Sequence, residues 1–250
     1  MIVLKTVEEL KKMRAAGRIS QRALHLAGAA VEPGVSTAEL DNIVRKYIEE
    51  QGATPSFLGY GGFPASACIS VNNVVIHGIP SENTILKQGD IVSIDVGAYY
   101  EGFHGDNAWT FPCGDISDEA KALLEATKNS LFEGIKAAKS GNTIGDIGNA
   151  VQRYVELRSY SVVRDFTGHG VGAKLHEAPN VPNYGTPGRG PKLMPGMVIA
   201  IEPMINIGTY KVKVLRDRWT TVTADGKLSA HFEHTVAVTP EGPVILTDAD

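Results

Sequence analysis

Two carboxylates, Asp95 and Asp106, interrupt one apolar run, "IVSIDVGAYYEGFHGDNAWTF". Two more stand in runs of the same character, Glu202 in "MVIAIEPMI" and Glu233 in "AHFEHTVAV". An unpaired ionised carboxylate loses several kcal/mol on leaving water, so each needs a partner. Read as an antiparallel hairpin turning at Tyr100–Glu101, the first run sets Asp95 opposite Asp106, with both side chains on one face. Acids converging on a dry sheet are held by shared protons or by cations, and two divalent ions balance four negative charges. His169, in "GHGVG", lies on backbone that its flanking glycines leave open, where an imidazole reaches a metal without crowding. Oxygen donors with one imidazole suit Mn, Fe or Co better than a thiolate zinc site. Such a pair of ions lowers the pKa of a bridging water and polarises a carbonyl, which is the chemistry of hydrolysis. His77, ending "NVVIHGIP", and His176, in "KLHEAPN", follow strand-like runs. Beside a dinuclear site, neutral imidazoles there donate to a scissile amide and to the oxyanion developing on its carbonyl. His25, His104, His231 and His234 take the structural reading, with His234 on the opposite face of its strand from Glu233.

These side chains need elements to hold them. Apolar periodicity predicts helices over 6–31, 36–51, 117–139 and 143–158. It predicts strands around 66–77, 90–111, 162–168, 197–207, 211–223 and 230–239. Thr6 and Ser117 are N-caps by type and position, and "PGVSTAEL" and "SGNTIGDI" both put Gly, then Ser or Thr, ahead of a helical period. Those two starts belong to a repeat. Gly34 and Gly141 lie 107 residues apart, and the same offset pairs Leu40 with Ile147, Val44 with Val151, Tyr47 with Tyr154, Gly61 with Gly168 and Gly89 with Gly196. It also lays "GDIVSID" over "GMVIAIE", so that Asp95 acquires Glu202 as its counterpart. The expectation is a single domain over 1–250, built of two similar helix–helix–sheet halves (about 1–111 and 112–250) whose strand carboxylates meet near a pseudo-twofold axis.

Composition narrows the class. The chain has 250 residues, 43% hydrophobic, enough for a sizeable core. A formal net charge of −4 argues against a nucleic-acid binder. The one basic cluster, "KVKVLRDR" over 211–218, has the alternation of a solvated hairpin, with contact to a polyanion such as the ribosome as its functional alternative. Cys68 and Cys113 make neither a disulfide framework nor a metal pattern, which fits a reducing compartment. The N-terminus has no signal-like or membrane-spanning run, so the default is cytoplasmic. Two other motifs fail on context. "GHGVGA" mimics a dinucleotide fingerprint but is followed by Pro179 and Pro182, and "HEAPN" starts like a zinc-protease helix that Pro179 breaks.

In order along the chain, "HGIP", "SIDVG", "FHGDNA", "GHGVG", "LHEAPN", "AIEPM" and "FEHTVAVT" resemble the motifs of the type I methionine aminopeptidases. The resemblance implies an α+β pita-bread fold, a central antiparallel sheet covered by helices with pseudo-twofold related halves. It also implies two divalent ions (Co, Mn, Fe or Zn) bound by Asp95, Asp106, His169, Glu202 and Glu233, with Asp106 and Glu233 bridging. By the same resemblance, His77 binds substrate near the scissile nitrogen, His176 stabilises the tetrahedral intermediate and Glu202 is the general base. Tyr60, Phe63, Cys68 and Trp219 would line a methionine pocket, apolar and soft as a thioether requires; Phe63 stands where variants carry a second Tyr. The implied activity removes the initiator methionine from nascent proteins and peptides when the second residue is small. The implied partners are polypeptide N-termini and, transiently, the ribosome, with no membrane or specific nucleic acid, and the enzyme would be a monomer. Glu233 follows Glu202 by only 31 positions, too short a span for the inserted subdomain of the type II form. A proline-specific aminopeptidase or dipeptidase shares fold and ligands and is the alternative within hydrolases. A non-catalytic binding protein of the same fold is the alternative outside them.

Overall fold

The computed structural model describes residues 1–248. Its helices are α1 (Val7–Ala29), α2 (Thr37–Glu50), α3 (Asp118–Ala137) and α4 (Ile144–Glu156). Its strands are β1 (Thr54–Pro55), β2 (Ala67–Val71), β3 (Val74–Ile76), β4 (Ile91–Tyr100), β5 (Phe103–Pro112), β6 (Ser161–Val162), β7 (Gly168–Gly170) and β8 (Glu177–Val181). They continue with β9 (Val198–Ile201), β10 (Met204–Asn206), β11 (Val212–Val214), β12 (Thr221–Thr223), β13 (Ser229–His231), β14 (Glu233–Thr239) and β15 (Gly242–Ile245). The main sheet runs β1-β4-β5-β14-β9-β7-β8, with β2 on β4 and β15 on β14. Every pairing in it is antiparallel. The long hairpin β4–β5 and the strand β14 therefore lie at its centre, flanked by the parts of the two halves. The fold is the α+β pita-bread architecture, as the motifs imply.

The helices form where local signals start them and packing keeps them. Thr6 caps α1 with a full capping box to Glu9, and Ser117 caps α3 through the Ala120 amide. α1 buries Met13, Ala16, Gly17, Ser20, Ala23, Leu24 and Ala27, a stripe at helical spacing in which small residues dominate. That smallness lets α1 lie directly on β5: a Cβ on Gly105 would strike the backbone of Gly17. One apolar core forms between α1, α2 and the first-half strands, around Leu24, Leu40, Val44, Ile48, Val92 and Ile94. A second forms between α3, α4 and the second-half strands, around Leu123, Leu131, Ile147, Val155, Ile199 and Ile201.

The 107-residue repeat is real in detail. Gly34 (φ 98°) and Gly141 (φ 92°) both turn left-handed before a helix, as do Gly89 (φ 92°) and Gly196 (φ 91°) before β4 and β9. The N-cap amides of Ser36 and Thr143 donate to Glu39 and Asp146, each at 2.7 Å. Isolated bridges join Ser36 to Ile85 and Thr143 to Lys192, at the same offset. The repeat fails at Gly61 and Gly168. Gly61 turns left-handed (φ 56°) in a 3-10 turn at Tyr60–Gly62, with Trp219 beside it, whereas Gly168 is extended in β7.

Other expectations are corrected. The hairpin turns at Glu101–Gly102, both with positive φ (48° and 89°), not at Tyr100–Glu101. The register therefore sets Asp95 opposite Ala108 and Asp106 opposite Gly97. The two acids share a face but sit diagonally, two residues apart along β5. The 66–77 strand splits into β2 and β3 at Asn72, whose φ is 56°. The 162–168 strand is loop between the short β6 and β7. β9 ends at Ile201, so Glu202 stands just past the strand, before Pro203.

Candidate active site

A row of side chains crosses four strands of the sheet. Cys68 on β2 faces Asp95 on β4, Asp95 faces Ala108 on β5, and Ala108 faces Glu233 on β14. Directly opposed residues share a face, so Asp95 and Glu233 project together across the small Ala108 methyl. Asp106 joins them from two residues along β5. Its backbone is pinned to β14 by the Thr235 hydroxyl, which accepts from the Asp106 amide (3.1 Å) and donates to its carbonyl (2.7 Å). Glu202 arrives from the end of β9, where Asn183 Nδ2 donates to its carbonyl at 2.9 Å.

His169 comes from β7. Glycines flank it because the neighbouring backbones are close: a Cβ on Gly168 would strike the Ala200 carbonyl, and one on Gly170 the Ala178 carbonyl. The Gly170 carbonyl lies 2.9 Å from His169 Nδ1 and can only accept, so the proton is on Nδ1. Nε2 is left with its lone pair, 3.7 Å from Asp106 Oδ2 and 3.6 Å from Glu202 Oε1. Those gaps are too long for hydrogen bonds and leave room for an ion between the side chains. Ligand atoms of Asp106, His169 and Glu233 lie within 4.8 Å of one another.

The electrostatics point the same way. Asp95 Oδ1, Asp106 Oδ1 and Glu233 Oε1 are buried with no hydrogen-bond partner. Burial first, then neighbouring acids, push Asp95, Glu202 and Glu233 well above the carboxylate range. Burial raises Asp106 to about 7, against the Asn107 amide, which lowers it. Burial also holds His169 down at about 3, neutral and free to ligate. Orphaned acceptors, mutual repulsion and a neutral imidazole with its lone pair turned inward fit divalent cations, whose charge would return the acids to the ionised state.

All eleven residues singled out in the sequence line one cavity of about 160 Å³: Tyr60, Phe63, Cys68, His77, Asp95, Asp106, His169, His176, Glu202, Trp219 and Glu233. Phe57 and Leu175 line it too and were not singled out. Leu175 precedes His176 in "KLHEAPN", the one local signal for it. Phe57 is seated against Gly97, where a Cβ would strike its ring. Phe57, Phe63, Cys68 and Leu175 form a small apolar cluster with Trp219 against it, at one end of the acid row. His77 follows β3 with a left-handed backbone (φ 57°), rare for a side chain of its size. The rings of Phe166 (5.7 Å) and Trp219 (6.0 Å) meet it edge-on, and burial lowers it to about 4, so it is neutral at neutral pH. His176 stands at the mouth, its Nδ1 2.8 Å from the Tyr60 hydroxyl and its ring centroid 4.1 Å from that of His169.

Of the histidines given a structural reading, His104 pairs through Nδ1 with the Ser56 hydroxyl (2.9 Å), and His234 with the Thr247 hydroxyl (2.9 Å). His231 is closer to the chemistry: its buried Nε2 has no hydrogen-bond partner and lies 3.8 Å from Glu202 Oε2.

Comparison with known proteins identifies the lineage. The profile of metallopeptidase family M24 matches residues 11–240. A methionine aminopeptidase of Clostridium perfringens is 58% identical over 99% of this chain and 99% of its own. The chain belongs to the methionine aminopeptidases of metallopeptidase family M24. Among solved structures, the methionine aminopeptidase of Thermotoga maritima is 43% identical, with a TM-score of 0.98 over 100% of both chains. An Xaa-Pro dipeptidase of Bacillus anthracis is 26% identical with a TM-score of 0.80, and the match spans 99% of this chain but 62% of the dipeptidase. Membership makes this chain a metal-dependent aminopeptidase of the pita-bread fold.

Proposed function

We propose that this chain hydrolyses the peptide bond after an N-terminal methionine, with the sheet acids and His169 as its metal-binding set and the apolar cluster as its methionine pocket. One observation carries the reading: a dry cluster of four carboxylates and one imidazole opens directly onto a soft apolar cavity of side-chain size. Two divalent ions would be held by Asp95, Asp106, His169, Glu202 and Glu233. When bound, they supply an acidified water and a polarised scissile carbonyl. Co, Mn, Fe and Zn all suit the donor set.

The chain's own residues do the rest. Tyr60, Phe63, Cys68 and Trp219, joined by Phe57 and Leu175, seat the methionine side chain and exclude water from it. His77, neutral and fixed by the rings of Phe166 and Trp219, meets the scissile nitrogen as a donor. His176 donates to the oxyanion that develops on the carbonyl. Glu202 takes the proton from the attacking water and passes it on, a base whose second oxygen faces His231. A small second residue is preferred and nascent polypeptide N-termini are the natural substrates. One catalytic domain acts as a monomer in the cytoplasm, with the basic hairpin of β11 and β12 as its transient contact with the ribosome. Among the described residues no helix is long and apolar enough to cross a membrane.

The direct test is hydrolysis of Met-Ala-Ser beside X-Pro peptides, with chelator and then Mn, Co, Fe or Zn restored. Release of methionine that chelation stops and metal restores is expected. Preferential cleavage of the X-Pro peptides would transfer the chain to the proline-specific branch, and indifference to metal would defeat the catalytic reading altogether.

A further inference from the structure

A thioether pocket needs no hydroxyl in its wall, and Phe57 and Phe63 already supply plain aromatic rings. Tyr60 nevertheless brings one, on a turn with three left-handed glycines, Gly59 (φ 81°), Gly61 (φ 56°) and Gly62 (φ 88°). The turn is closed by the Tyr60 amide on the Phe57 carbonyl and the Phe63 amide on the Tyr60 carbonyl, each at 2.9 Å. It aims the phenol at one atom, Nδ1 of His176, at 2.8 Å, with the two rings 5.2 Å apart. Among the described residues no second partner reaches that hydroxyl.

We propose that Tyr60 is a positioning residue for His176: its hydroxyl donates to Nδ1 and fixes the imidazole in the tautomer that carries its proton on Nε2. This rests on the reading of His176 as the donor to the developing oxyanion. A phenol oxygen shares its lone pair with its ring and is a poor acceptor, whereas an imidazole nitrogen is a strong one, so the bond runs from O–H to N. A neutral imidazole has one N–H. With Nδ1 engaged as acceptor, Nε2 is the nitrogen that carries the hydrogen and is left for the cavity that His176 lines. The opposite tautomer would turn a lone pair toward the oxyanion and repel the charge it should bind. Contact with the His169 ring holds the imidazole plane while the hydroxyl chooses its proton.

The test uses the full chain loaded with Zn, which is diamagnetic, and labelled with nitrogen-15 at histidine. At a pH where His176 is neutral, its ring shifts should show Nε2 protonated in the wild type and a mixture of tautomers in Tyr60→Phe. On Met-Ala-Ser, Tyr60→Phe should lower kcat by roughly tenfold, the factor one ordinary hydrogen bond supplies. Because the phenyl ring still lines the pocket, KM should stay within about twofold. Added to His176→Ala, Tyr60→Phe should cost nothing further, as expected when one residue acts through the other. The proposal is overturned by an Nδ1-protonated His176 in the wild type, a reading that needs no variant. It is equally overturned by wild-type kcat in Tyr60→Phe while His176→Ala is slow, or by full loss from Tyr60→Phe in the His176→Ala background. Wild-type kcat in His176→Ala would instead remove the oxyanion role itself and the proposal with it.

Discussion

Asp106 and Glu233 occupy the middle of the sheet, each almost wholly buried and each with an unpartnered oxygen. Replacing either by alanine should abolish metal-dependent turnover and reduce bound metal, measured by peptide assay and elemental analysis on the same sample; appreciable turnover in either variant would remove the bridging role. His77→Ala should behave differently. Turnover should fall by roughly 10² while metal occupancy stays, because a proton donor is lost and not a ligand. Loss of metal in that variant would make His77 a ligand. The acids were legible in the sequence because a carboxylate within an apolar strand demands a partner, whatever the fold. Their exact placement was not. The register depends on which two residues accept positive φ, and the Glu101–Gly102 pair, with its glycine second, was the turn signal that the Tyr100–Glu101 reading passed over. His231 was equally hard to read, because only the folded chain brings Met204 against it and Glu202 beside it.

Elements show the same division between local and tertiary information. Helix starts were legible because capping is local: Ser36 and Glu39 satisfy each other's amides within one turn. Ser36→Ala should cost about 1 kcal/mol of stability, read by denaturant unfolding, with KM for Met-Ala-Ser unaltered; an unchanged midpoint would show that tertiary contacts alone hold the start of α2. Three strands escaped the sequence reading, β1, β8 and β15, and each contains a proline, Pro55, Pro179 and Pro243, which argues against a strand interior. All three are tolerated because the strands are terminal, β1 and β8 at the two ends of the sheet order and β15 on β14 alone. The break at Gly61 and Gly168 shows where the halves diverged. The first half bends that segment into a wall of the cavity, and the second extends it to deliver His169.

For the molecule as a whole, the acid cluster makes stability depend on metal and on pH together. In chelated protein the folded chain keeps protons that the unfolded chain has released: Asp106 holds its proton up to about 7, and burial with neighbouring acids raises Asp95, Glu202 and Glu233 well above the carboxylate range. Buried imidazoles pull the other way, since His169 and His231 are lowered to about 3 and His77, His104 and His234 to about 4. Above about pH 7.5, however, histidines are uncharged in both states, and only the acids contribute a slope. The gain in stability on adding Mn should grow as pH rises through about 7, where Asp106 gives up the proton that competes with the metal. A Mn-induced rise in melting temperature that is the same at about pH 6 and about pH 8 would mean that the acids are not buried together in solution. The row from Cys68 through Asp95 and Ala108 to Glu233 has a final implication. Adjacent strands stand about 4.8 Å apart, so, with Cys68 in the proposed methionine pocket, a bound methionine would have its own carbonyl above the neighbouring carboxylate. On that reading the sheet would act as a ruler one amino acid long. A slip of β2 along β4 would then recalibrate it.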